Sequence, residues 1–189
     1  WEDDFTRAVR EFIDEEKNSH ISEELMVQLV TFSDDVRFDT GFQPVMGIDT
    51  KSIRIKNRNS TTAGYDAVKQ TLDSMLAYGK TLEQSGTDVR YNMAIVTDGD
   101  FNDGKDMTGA SVVAVLDKIR ADESTYGKFT IFMYGVGNTS VFEKARDNMG
   151  IEPSALLTYG ATGKDFKAML KTVSQSVSAS SSGTAVPTF

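Results

Sequence analysis

Asp98, Asp100, Asn102 and Asp103 fall within six positions, beside Gly99 and Gly104, directly after the apolar run Met93-Ala94-Ile95-Val96. Oxygen donors at this density are what a hard cation such as Mg²⁺ or Ca²⁺ takes, and glycines let the backbone turn sharply around one. Asp, Asn and Gly are also ordinary turn formers. What singles this loop out is its position, since Asp98 ends a strand that sequence order places near the middle of a sheet. Two other polar segments follow apolar runs in the same way: Ser33-Asp34-Asp35 after Leu25 to Phe32, and Gly135-Val136-Gly137-Asn138-Thr139-Ser140 after Phe129 to Tyr134. Ligands of open α/β sheets collect outside the carboxyl ends of strands, so these three loops are where a site is expected.

The elements that must position them alternate along the chain. Phe5, Ala8, Val9, Phe12 and Ile13 form the stripe of a helix with one buried face. Leu25 to Phe32 runs almost without a polar break, as a strand covered on both faces does, and Val36 to Asp39 reads as its hairpin partner. Gly41 to Ser60 reads as a crossing connection with a short strand at Ser52 to Ile55. A helix follows at Val68, Leu72, Met75 and Leu76, with Ser60, Thr61 or Thr62 as its cap. After the strand at Met93 to Val96 come a helix at Val112 to Ile119, a strand at Phe129 to Tyr134 and a helix over Val141 to Met149. A strand at Leu156 to Tyr159 and a helix from Phe166 to Val177 complete the set. This alternation predicts an α/β fold with a doubly wound, mostly parallel sheet, one antiparallel edge strand and helices on both faces. We divide it into a domain over residues 1–179 and a Ser-rich tail at 180–189, and read Ser174 to Gly183 as a solvated end. Such a sheet has its first strand in the middle, yet this chain opens with a helix.

Composition removes several function classes. Lys+Arg of 20 against Asp+Glu of 28 gives a net charge of −8, which argues against nucleic acid and is compatible with cations. With 0 Cys and 1 His there is no disulfide framework, no cysteine nucleophile and no Cys/His zinc cage. No apolar run approaches the roughly 20 residues of a membrane span. His20 lies in a polar loop and reads as solvated. An EF-hand reading of the Asp98 loop fails, because its sixth place is Asp103 rather than Gly and its twelfth is Gly109. Gly135-Val136-Gly137 would need a third Gly at Ser140 to bind a dinucleotide.

Three ordered segments carry a resemblance: Val27-Gln28-Leu29-Val30-Thr31-Phe32-Ser33-Asp34-Asp35-Val36, Ser60-Thr61-Thr62-Ala63-Gly64-Tyr65-Asp66-Ala67-Val68 and Ala94-Ile95-Val96-Thr97-Asp98-Gly99. Together with Gly135-Val136-Gly137 and the last helix, they resemble the von Willebrand factor A domain, in a bacterial and phage branch, over nearly the whole chain. The resemblance implies a soluble, cytoplasmic protein-binding module rather than an enzyme. It also implies a metal-ion-dependent adhesion site, in which Mg²⁺ or Mn²⁺ is gripped by Thr62, Asp98 and an Asp-x-Ser-x-Ser loop, and a partner's acidic residue completes the shell. No Asp-x-Ser-x-Ser occurs in this sequence, and its expected place, with that of the first strand, lies ahead of Trp1. The site is therefore incomplete and is expected to bind metal weakly or not at all.

Two alternatives stand beside this reading. Asp98-Gly99-Asp100 after an apolar strand is similar to the motif of haloacid-dehalogenase-like phosphatases, with Asp98 as nucleophile, Asp100 as acid/base and Mg²⁺ as cofactor; Lys164 imitates the lysine of such enzymes, although it stands where a helix start favours polar residues anyway. The third reading is a metal-free structural subunit of a larger assembly.

Overall fold

The computed structural model describes residues 2–56, 61–102, 108–137, 139–184 and 189. Ser60, Asp103, Gly104 and Asn138, named above, lie outside the described residues. The elements are α1 (Glu2–Lys17), β1 (Met26–Val27), β2 (Val30–Phe32), β3 (Val36–Phe38), β4 (Gln43–Pro44), α2 (Gly64–Gln84) and β5 (Tyr91–Thr97). They continue with α3 (Gly109–Ala121), α4 (Glu123–Tyr126), β6 (Phe129–Val136), α5 (Thr139–Met149), β7 (Leu156–Tyr159) and α6 (Gly163–Ser181).

Among the described residues the strands form three ladders. β5, β6 and β7 make a parallel sheet in that order, with Tyr91 opposite Phe129 and Met133 opposite Leu156. β2 pairs antiparallel with β3, and β1 with β4. β1 and β2 lie on the expected run from Leu25 to Phe32, interrupted where the Leu29 carbonyl accepts from both Asp39 N–H and Thr40 N–H. The hairpin partner expected at Val36 to Asp39 is there. The strand expected at Ser52 to Ile55 is not: a 3-10 turn at Thr50–Ser52 takes its place, capped by Asp49 accepting from Lys51 N–H.

Helices cover both faces of the parallel sheet. Met93, Ile95, Ile131 and Met133 pack with Val68 and Leu72 of α2, Leu116 of α3 and Phe142 of α5. Tyr134 and Val136 pack with Val9 and Ile13 of α1 and Phe166 and Met169 of α6. Leu72, Leu116, Ile131, Met133, Phe142, Phe166 and Met169 are all fully buried. At about 1.5–3 kcal/mol for each such side chain, these two layers supply much of what opposes chain entropy.

The serine-rich end is a correction to the sequence reading. α6 runs through it to Ser181, and Ser176 and Ser180 are buried. Their hydroxyls accept from the Asn92 amide at 2.9 and 3.1 Å, and Ser180 donates to Thr130 at 3.3 Å. These serines line a face of the helix turned to polar groups on the sheet, so they are internal rather than solvated. Phe189 is also buried, edge-on to Tyr126 and Phe129 at 5.7 and 5.9 Å.

Candidate functional site at the carboxyl rim

β5 ends at Thr97, whose hydroxyl accepts from Gly99 N–H at 3.2 Å and so turns the chain back on itself. Asp98 lies within that turn and is exposed. Phe101 then buries its ring edge-on against Phe32 and Tyr65, at 6.1 and 5.3 Å, which anchors the loop. The anchor depends on Gly64, because a Cβ there would collide with the Phe101 ring.

The loop before α2 meets this turn. Thr62 N–H donates to the Asn102 side-chain carbonyl at 2.9 Å, and a Cβ on Gly99 would lie 3.3 Å from the Thr62 hydroxyl. Thr62 and the Asp98-Gly99 turn, 36 residues apart in sequence, therefore share one rim. A third segment joins them: Ala63 N–H donates to the Ser33 carbonyl at 2.5 Å. Ser33 in turn closes its own turn, with Ser33 N–H bonded to the Asp35 carbonyl and Asp34 N–H to the Ser33 hydroxyl at 2.6 Å. The expected cap of α2 is absent; its N-cap is Ala63, with no side-chain bond, and Thr62 is left to the rim.

By type, a hydroxyl and a carboxylate fit a hard divalent cation. By number they do not close a shell, and among the described residues no group of three or more His, Cys, Asp or Glu side chains is arranged around a metal position. Asn102 is a member of the oxygen-rich loop whose amide oxygen is already engaged by Thr62 N–H. Its bracing role was not legible from spacing, since its partner lies 40 residues away. The cavity beside the Ser33 turn, lined by Thr31, Phe32, Ser33, Asp35 and Lys56, is about 10 Å³, near the size of one water sphere. His20 is exposed. Lys164 is exposed in the first turn of α6, whose capping box is made by Thr162 and Asp165.

Known structures now bear on the architecture. The chain is similar to a vWA domain, that of SpRpn10, with a TM-score of 0.53 and 9% identity, over 90% of this chain and 82% of that one. The chain has a vWA-like fold. It is also similar to proximal thread matrix protein 1 from the mussel byssus, with a TM-score of 0.59 and 15% identity over 90% of this chain. It spans 42% of the length of the mussel protein. No family model matches the sequence, and no curated protein does. No helix among the described residues is long and apolar enough to cross a membrane.

Proposed function

We propose that this chain is a non-enzymatic protein-binding module of the vWA type, whose binding surface is the rim built by Thr62, Asp98 and the Ser33 turn. The observation that carries this reading is the meeting of Thr62 with the Asp98-Gly99 turn at the carboxyl end of β5, where a vWA-like fold offers its ligand face. Thr62 and Asp98 would hold a Mg²⁺ or Mn²⁺ ion, which would offer an open coordination position to an acidic side chain of the partner. Two protein donors leave most of an octahedral shell to water, so the affinity of this chain alone is weak. We also read the separate ladders as parts of one doubly wound sheet, and the setting as the bacterial or phage cytoplasm.

Mn²⁺ titration followed by paramagnetic broadening of amide signals tests the site. Broadening is expected to centre on residues 61–63 and 97–102 and to be lost in Asp98→Ala and weakened in Thr62→Ala. Unchanged broadening in Asp98→Ala would sink the metal reading. A phosphomonoester assay of the wild type and Asp98→Asn addresses enzymatic use; turnover that the variant loses would replace the binding module with a phosphatase.

A further inference from the structure

The amino end of the parallel sheet, opposite the rim of Thr62 and Asp98, carries a cluster of rings. Tyr91 and Phe129, the paired first residues of β5 and β6, stack at 4.6 Å with their planes 15° apart. Phe189 joins this cluster from a distant part of the sequence. Its ring stands nearly perpendicular to those of Tyr126 and Phe129, at 86° and 88°, and the Arg120 guanidinium carbon lies 5.5 Å from its centroid. Edge-to-face neighbours and a cation over the ring are the surroundings that an aromatic quadrupole prefers, so they suit a phenyl ring better than an aliphatic side chain of similar size. Phe189 is 4% exposed, yet no hydrogen bond joins it to another described residue.

The walls around this ring are built without it. Arg120 donates to the Asp117 carboxylate and to the Gly150 carbonyl, both at 2.7 Å, which fixes the guanidinium. Tyr126 ends α4, a single turn that Asp122 caps by accepting from Ser124 N–H at 3.0 Å, and Tyr126 N–H donates to the Asp122 carbonyl at 2.8 Å. Phe129 is held by its ladder with β5 and by its stack on Tyr91. A hollow whose lining is fixed by contacts of its own is preorganised for its occupant and needs little further ordering on binding. Phe189 also lies across the sheet from its preceding helix: Phe166, Met169 and Val173 of α6 pack in one apolar layer and Phe189 in the other. Seating of this one ring therefore ties the segment after α6 to the opposite helical layer.

We propose that Tyr126, Phe129 and Arg120 form a recognition socket for one phenylalanine side chain, and that Phe189 is its resident ligand, a latch seated by its ring alone. The socket lies at the other end of the sheet from the cation site and does not rest on that reading. The test is an NMR titration of the whole chain carrying Phe189→Ala with N-acetyl-phenylalanine amide and, separately, with N-acetyl-leucine amide. The phenylalanine probe is expected to shift the signals of Tyr126, Phe129 and Arg120 saturably and to bind about tenfold more tightly than the leucine probe. It is expected to leave the same signals in place in the wild type, where Phe189 fills the socket. No shift at these residues in the variant, or equal affinity for the two probes, overturns the socket; equal shifts in wild type and variant overturn Phe189 as its occupant. Signals of the Phe189 ring that move with protein concentration seat it in a second copy and overturn the latch. Should Phe189→Ala not fold, urea unfolding of Arg120→Met in the wild type and in Phe189→Leu decides the matter. The unfolding constant is expected to rise about threefold more in the wild type, where the cation has a ring to cover, and equal rises overturn the aromatic reading. None of these readouts involves a metal ion, so failure here leaves the Thr62 and Asp98 reading untouched, and failure there leaves the socket.

Discussion

The two edges of β5 are made of the same strand and have opposite surroundings. Towards β6, seven residues of register and two layers of helices bury Met93, Ile95, Ile131 and Met133. Towards β2, Val30, Thr31 and Phe32 are only half-buried, although their run is as apolar as that of β6. Strand composition thus specifies that a segment can be covered on both faces, but coverage itself depends on a neighbour at each edge. The more deeply buried side is expected to carry more of the stability.

The sharpest way to break this comparison is to truncate equivalent apolar positions on each side. Ile131→Ala, fully buried in β6, is expected to cost about 2–5 kcal/mol, whereas Val30→Ala in the half-buried hairpin costs about 1 kcal/mol. Urea unfolding of both variants checks this, and equal losses would show the hairpin to be as tightly packed as the sheet. Overpacking gives the next effect. A Cβ on Gly135 meets the Phe142 ring, so Gly135→Ala is expected to lower stability by about 1–3 kcal/mol in the same measurement. At the rim, Gly64→Ala drives against the Phe101 ring and shifts the loop that carries Asp98. Its expected signature is weakened Mn²⁺ broadening at residues 97–102 with the far-UV spectrum retained.

The same contrast explains what the sequence disclosed. β6 was legible because Phe129 to Tyr134 is buried on both faces, and an apolar run of that length has few other uses. The carboxyl-rim position of Asp98 followed from strand order. The resemblance, rather than any spacing, pointed to Thr62, since no local pattern links it to a loop 36 residues away. Ser176 and Ser180 were misread because serine reads as solvent-facing unless its partner is known, and Asn92 lies 84 and 88 residues away from them.

The smallest expected effect lies at the start of α6, on the well-built side of the molecule. Asp165 accepts from the Thr162 hydroxyl at 2.6 Å and from Thr162 N–H at 3.1 Å, and the Thr162 hydroxyl accepts from Asp165 N–H at 3.3 Å. The hydroxyl bond, followed by the backbone bond, holds the Asp165 carboxyl below the usual aspartate range. A group whose folded pKa is depressed contributes stability that is complete above its unfolded value, near 4, and is lost as pH falls through the folded value. Asp165→Asn is therefore expected to flatten the acid limb of the stability curve below about pH 4 while leaving neutral-pH stability only slightly reduced. Because the carboxylate is at the surface, added salt shrinks the difference between the two curves. Identical acid limbs for wild type and variant would mean that this capping box forms equally well with a neutral side chain, and that its hydrogen bonds rather than its charge set the start of the helix.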